Sequence, residues 1–186
     1  MKVLQHNCRL SGVNVRLAFK TARDLSCELV LLQEPPAGRP GETINEPGYW
    51  ISKGKGVWTA WRKDTRKTWD IRTDIARSED YHIVDCTERG GSRQSTRFVN
   101  VYERTNQPRT ILEVIPWDTV ITRRTVIAGD MNAHHPDWNH DGAGTIRNAT
   151  VIRETLIEGY EMEIANTDKA TRHSDKTEGR SSNIDL

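Results

Sequence analysis

Short apolar runs of strand length recur along this chain, and several of them end in a polar residue that could do chemistry. KVLQ runs into Asn7, ELVLL into Gln33-Glu34, and TVIA into Gly129-Asp130, with Asn132 two residues on. Between them lie YWIS, VWTAW, TWDIR, YHIVDC and TRFVNVY, separated by charged or glycine-containing turns, and the last of these closes on Tyr102. Runs of this kind, rich in β-branched and aromatic residues, predict strands. Helical spacing appears from Val13 to Cys27, where Val13, Leu17, Ala18, Ala22 and Leu25 form an apolar stripe behind a capping Ser11. Two further helices are expected over Pro108–Val120 and Thr150–Glu158, and a last strand near Asn183. Pro35–Gly48 and Met131–Gly144 read as loops. Strand–helix alternation at both ends of a strand-rich middle predicts an α/β (α+β) architecture, with helices outside packed sheets. No repeat or linker interrupts it, so residues 1–186 are expected to form a single domain.

At 186 residues the chain can bury one sizeable core. Its formal net charge of +1 excludes a generally basic nucleic-acid binder. Any attraction for phosphate must come from local patches or a bound metal. Cys8, Cys27 and Cys86 are an odd number at wide spacing, which gives neither a disulfide framework nor a zinc pattern and points to a reducing compartment. MKVLQHN is no apolar leader, and nothing approaches the ~20 apolar residues of a membrane span. The expectation is a soluble, intracellular protein with no membrane partner.

In layered α/β folds, ligands gather outside the carboxyl ends of the strands. Asn7, Glu34, Tyr102, Asp130 and Asn132 all stand at or just past such ends. Taken singly, each has an ordinary explanation: a cap, a solvated strand end, a strand tyrosine, or turn formers after a glycine. Together they offer carboxylate and amide oxygens without a thiolate, which suits a hard cation such as Mg²⁺ or Mn²⁺. His134, His135, Asp137, His140 and Asp141 crowd one loop but lack zinc spacing, so a structural loop anchored by Trp138 is expected there. A basic stretch from Lys53 to Arg72 interleaves Trp58, Trp61 and Trp69. It reads equally as a solvated hairpin face or as a DNA-backbone contact, with Lys63 and Lys67 as the candidate phosphate ligands.

Five strings occur in order: Q-H-N at 5–7, L-L-Q-E-P at 31–35, N-V-Y at 100–102, A-G-D-M-N at 128–132 and S-N-I-D-L at 182–186. The set resembles the endonuclease/exonuclease/phosphatase (DNase I-like) superfamily, in particular the apurinic-type endonuclease domain of non-LTR retrotransposons. The resemblance implies a four-layer sandwich, two mixed β-sheets flanked by helices. It implies Glu34 as the metal carboxylate with Asn7 assisting, and Asp130 as the residue that orients or deprotonates the attacking water. Asn132 and Tyr102 would contact the scissile phosphate, and Asp185 would orient a catalytic histidine. Thr171-Arg172, in ATRHS, resembles a family threonine near the DNA backbone, although Ala170 stands where proline is common.

The implied cofactor is Mg²⁺ or Mn²⁺, with no small-molecule cofactor. The implied partners are DNA and, in the parent chain, a C-terminal reverse transcriptase, with a nuclear site of action. The implied function is nicking of target DNA for target-primed reverse transcription. Alternatives are an abasic-site repair nuclease or another superfamily phosphoesterase, or an inactive remnant that only binds nucleic acid. One departure stands out. The family closes with a Ser-Asp-His segment after its I-D-L strand. None of His6, His82, His134, His135, His140 or His173 occupies that place. The expectation is therefore a domain lacking its last strands and, since one such group is commonly worth about 10²–10⁴ in rate, a fragment that is weakly active or inactive.

Overall fold

The computed structural model describes residues 1–37, 44–91, 94–104, 107–136, 138, 147–165, 172–173 and 181–182. The chain divides into two compact units, one of Met1–Tyr102 with Thr122–Gly129 and one of Glu103–Ile121 with Asp130–Leu186.

The first unit is built on two sheets. In the first, β1 (Val3–Asn7), β2 (Leu29–Gln33), β3 (Tyr49–Lys53) and β4 (Val57–Arg62) take the order β1-β2-β4-β3. β1 and β2 are parallel, which requires the crossover supplied by α1 (Gly12–Asp24), and the other pairs are antiparallel. In the second, β5 (Trp69–Arg77), β6 (Tyr81–Glu88), β7 (Ser95–Tyr102) and β8 (Thr125–Asp130) lie in sequence order. β5, β6 and β7 alternate in direction. The amides of Arg97 and Glu103 reach the carbonyls of Arg124 and Asp130, each at 2.8 Å, so β7 and β8 advance together and are parallel. Both sheets are therefore mixed, as expected.

Every residue of β2 is buried, as its unbroken LVLLQ run requires of a strand covered on both faces. Val30 and Leu32 pack with α1, whereas Leu29 and Leu31 meet Val84, Cys86 and Phe98 of the second sheet. Ser11 caps α1 as expected, accepting from Asn14 N at 3.4 Å. The buried face of the helix differs from the expected stripe. It is Val15, Ala18, Phe19 and Ala22, while Val13, Leu17 and Leu25 are 64%, 54% and 55% exposed. Both stripes have helical spacing. The one carrying Phe19 is buried because the ring removes more apolar area from water and packs on Tyr49, with centroids 5.1 Å apart.

The second unit corrects a second expectation. Pro108–Val120 is not one helix but a 3₁₀ turn at Ile111–Glu113 and a single turn α2 (Trp117–Val120). Pro116 separates them, since it has no N–H to donate and its ring excludes the preceding turn of a helix. The expected helix at Thr150–Glu158 is present as α3 (Arg147–Val151), continuing as a π-helix over Ile152–Gly159. β9 (Arg172–His173) pairs antiparallel with β10 (Ser181–Ser182), and the strand expected near Asn183 lies outside the described residues. Cys8, Cys27 and Cys86 are buried and free. Among the described residues no helix is long and apolar enough to cross a membrane.

Candidate functional site

In the first unit, three of the expected residues stand at neighbouring strand ends. β1 and β2 run side by side with Asn7 opposite Gln33, the residue before Glu34. The next bonds pin the turn after each strand to the other: Cys8 N to Gln33 O at 2.7 Å and Leu10 N to Glu34 O at 2.8 Å. Asn7 Oδ1 accepts from Arg9 N at 2.8 Å. Glu34 holds a left-handed backbone, φ +46°, fixed by Leu10 and by its own N–H on Gly56 O at 2.9 Å. A residue with a Cβ pays about 1–2 kcal/mol for that conformation.

Tyr102, at the end of β7, donates its hydroxyl to Glu34 Oε1 at 2.8 Å. Gly56 lies beneath this pair. A Cβ there would sit 2.8 Å from the Tyr102 ring and 2.1 Å from an Asp80 carboxylate oxygen, so only glycine lets the tyrosine lie down. Burial, and then the Glu34 carboxylate, push the Cys8 thiol up to about 12.

The second unit holds Asp130 and Asn132. Asp130 is buried, and its Oδ1 accepts from Asn132 N at 3.1 Å, an aspartate turn of the kind expected after Gly129. Asn132 adopts φ +44°, which asparagine tolerates better than most residues, and donates Nδ2 to Glu103 O at 2.7 Å. Glu103, buried, accepts from Thr110 Oγ1 and, at 2.8 Å, from Ile111 N, and so caps the 3₁₀ turn. Asn148 of α3 donates to Met131 O at 3.2 Å, and Arg147 binds both Glu113 oxygens at 2.8 Å. The expected Trp138 anchor is in place: its indole is buried, stacked on His135 at 4.8 Å and bonded to Ala133 O at 3.1 Å.

Lys63 and Lys67 are not brought to this region. Val57 pairs with Gln33 and Trp61 with Leu29, so the 3₁₀ turn of Lys63–Lys67 follows the far end of β4, roughly 13 Å of strand or more from Glu34. There Lys63 Nζ lies 4.9 Å from the ring centre of the half-exposed Trp50 and the Arg66 guanidinium 5.3 Å away. Arg172 begins β9, while Thr171 and Asp185 lie outside the described residues.

The sequence reading missed two buried polar groups. One is Glu103, which a strand-end glutamate does not announce. The other is a set formed by Gln33, Thr59, His82 and Asn100, all with at most 3% exposure. A signal for it was present, since each interrupts an apolar run at a position where alternation points inward.

Among the described residues no three His, Cys, Asp or Glu side chains cluster so as to hold a metal by themselves. Glu34 and Asn7 bring a carboxylate and an amide oxygen to the neighbouring ends of β2 and β1. That suits a hard cation such as Mg²⁺, which is commonly held by one or two carboxylates while keeping much of its water.

The mixed double-sheet fold is that of the DNase I-like nucleases. It superposes with a TM-score of 0.74 on a structure titled the endonuclease domain of TRAS1, a telomere-specific non-LTR retrotransposon, at 19% identity over 98% of this chain and 82% of that one. The catalytic domain of Xenopus laevis APE2 gives a TM-score of 0.55 at 14% identity, over 83% of this chain and 67% of that one. Residues 96–186 match the family model described as endonuclease-reverse transcriptase, which bears out the resemblance read from the motifs. No curated protein sequence matches the chain.

Proposed function

We propose that this chain is a divalent-metal-dependent DNA endonuclease that nicks target DNA to prime reverse transcription of a non-LTR retrotransposon. The observation that carries this reading is the bond between the Tyr102 hydroxyl and the Glu34 carboxylate, which joins two of the five motifs across 68 residues. Hydrolysis of a phosphodiester needs its charge masked and a water aligned against the leaving oxygen. Glu34 and Asn7 would hold the cation, which when bound would neutralise phosphate charge and stabilise the leaving oxygen. Asp130 accepts the proton of the attacking water. Asn132, with a second N–H beyond the one given to Glu103, donates to the phosphate. Tyr102 fixes one oxygen of Glu34 and so sets the orientation of the carboxylate. Arg172 and Thr171 contact the backbone of the DNA. The native reading frame continues into a reverse transcriptase, in keeping with the name of the matching family, and the protein acts in the nucleus.

The test is relaxation of supercoiled plasmid in Mg²⁺, with EDTA as the control. It compares the 186-residue chain with protein expressed from the whole native reading frame, where most of the nicking is expected. Glu34→Gln and Asp130→Asn should each lower the nicking rate about 10²–10⁴-fold. Nicking that ignores EDTA, or variants as fast as the parent, would sink the proposal. The likeness to the APE2 catalytic domain supplies a second reading, an abasic-site nuclease. It is chosen instead if an abasic duplex is cut and intact plasmid is not.

A further inference from the structure

A continuous polar chain crosses the otherwise apolar gap between the two sheets of the first unit. Gln5 Nε2 donates to Gln33 Oε1 at 2.6 Å, and Gln33 Nε2 donates to Asn100 Oδ1 at 2.6 Å. Asn100 Nδ2 donates to Trp58 O and to Thr59 Oγ1, both at 3.0 Å. Thr59 Oγ1 in turn meets His82 Nδ1 at 3.2 Å. β1, β2, β4, β6 and β7 each contribute one side chain, and Gln33, Thr59 and Asn100 are fully buried.

Two features tie this chain to the strand ends. Gln33 is the residue before Glu34. Asn100 lies two residues before Tyr102, on the same face of β7. The Gln33–Asn100 rung therefore stands directly behind the Tyr102–Glu34 rung, across the same gap. Apolar contacts alone hold sheets together without choosing a fine register. Buried amides are different, because a small slide leaves donors and acceptors unpaired where water cannot reach. The polar chain is thus a gauge that sets the separation of β2 and β7 at the point where Glu34 and Tyr102 emerge.

We infer that Asn100, acting through Gln33, is a positioning residue. It sets the reach of the Tyr102 hydroxyl to Glu34, and so the orientation of the carboxylate that would meet the cation. The metal half of this inference rests on the proposed phosphodiesterase reading, whereas the tyrosine half does not.

The test uses protein labelled with ¹³C at tyrosine Cζ and free of metal. The sequence has four tyrosines, and the Tyr102→Phe variant identifies the Tyr102 signal by its loss. Asn100→Leu should move that signal toward the position it takes in Glu34→Gln. It should also weaken Mg²⁺ binding about tenfold, as loss of an outer-shell partner commonly does. Leu29→Ala loosens the same gap beside Val3 and Trp61, away from the polar chain, and should lower the melting temperature while leaving the Tyr102 signal in place. If Asn100→Leu leaves the signal unmoved, or Leu29→Ala moves it as far, the inference is overturned. Should Asn100→Leu fail to fold, the isosteric Thr59→Val should shift the signal less and in the same direction, and no shift there overturns the inference equally. If Glu34→Gln leaves Mg²⁺ binding intact, the metal reading falls, while the tyrosine signal still decides the positioning role.

Discussion

Glu34 and Tyr102 are 68 residues apart and meet across the gap between two sheets, whereas Asp130 and Asn132 stand in a single turn that closes on itself. The first pair depends on how the sheets stack, and behind it stands a chain of buried amides. The second depends on local bonds: an aspartate accepting from the residue two places on, and an asparagine tied to the backbone of Glu103. The first unit therefore fixes its chemistry through the core, and the second through loop backbone. Damage to packing should reach Glu34 and Tyr102 first, and damage to the turn should reach Asp130 and Asn132 first.

The largest expected effect lies at Gly129. A Cβ there would meet the Val101 carbonyl oxygen at 1.9 Å and other Val101 backbone atoms by 3.0 Å. Backbone cannot swing aside, so Gly129→Ala should cost more than about 4 kcal/mol and abolish a cooperative melt in urea. Gly56→Ala is the contrasting case. Its nearest obstacles are the Asp80 carboxylate and the Tyr102 ring, which can rotate, so a loss of about 2–3 kcal/mol is expected, with the tyrosine displaced. Equal losses at the two glycines would break the distinction between backbone-fixed and side-chain-fixed regions.

Acid should act on the sheet-borne region through His82. Burial, and then Arg77, lower its pKa from 6.5 to about 4, against a smaller opposing influence from Glu79. The unfolded chain takes up this proton near pH 6.5 and the folded chain only near 4. The stabilisation is therefore complete above pH 6.5 and is lost as pH falls toward 4, by about 3 kcal/mol at the acid end. Urea melts across that window should show the slope, and His82→Gln should remove it. A slope unchanged in the variant would take His82 out of the account.

Tyr102→Phe should cost about 1–2 kcal/mol, the value of a hydroxyl bond to a carboxylate at a half-buried site, and should leave the fold intact by circular dichroism. The smallest effect is expected from reversing charge at Lys63 and Lys67. Both are exposed and at the far end of the first sheet, so stability should stay within about 0.5 kcal/mol, while DNA affinity should weaken slightly and alike for all sequences. A selective loss for one target sequence would move these lysines into the recognition surface.

The strands were legible because each apolar run has strand length and the punctuation between runs is strong. The face of α1 was not, because Val13 and Leu17 are as apolar as Val15 and only contact between Phe19 and Tyr49 chooses between them. The break at Pro116 could have been read from proline alone. The site residues were legible one by one through the order of their motifs. The Tyr102–Glu34 bond was not, since no local rule brings residues 34 and 102 together. Glu103 was hidden for a similar reason: its burial depends on Thr110 and Ile111, which fold back over it.

The left-handed backbone of Glu34 sets two local contributions against each other. Glycine would relieve that conformation by about 1 kcal/mol. It would also remove the carboxylate that the Tyr102 hydroxyl meets, a bond worth about as much. Stability alone is therefore nearly indifferent at position 34, and what glutamate adds there is a charge at the strand end.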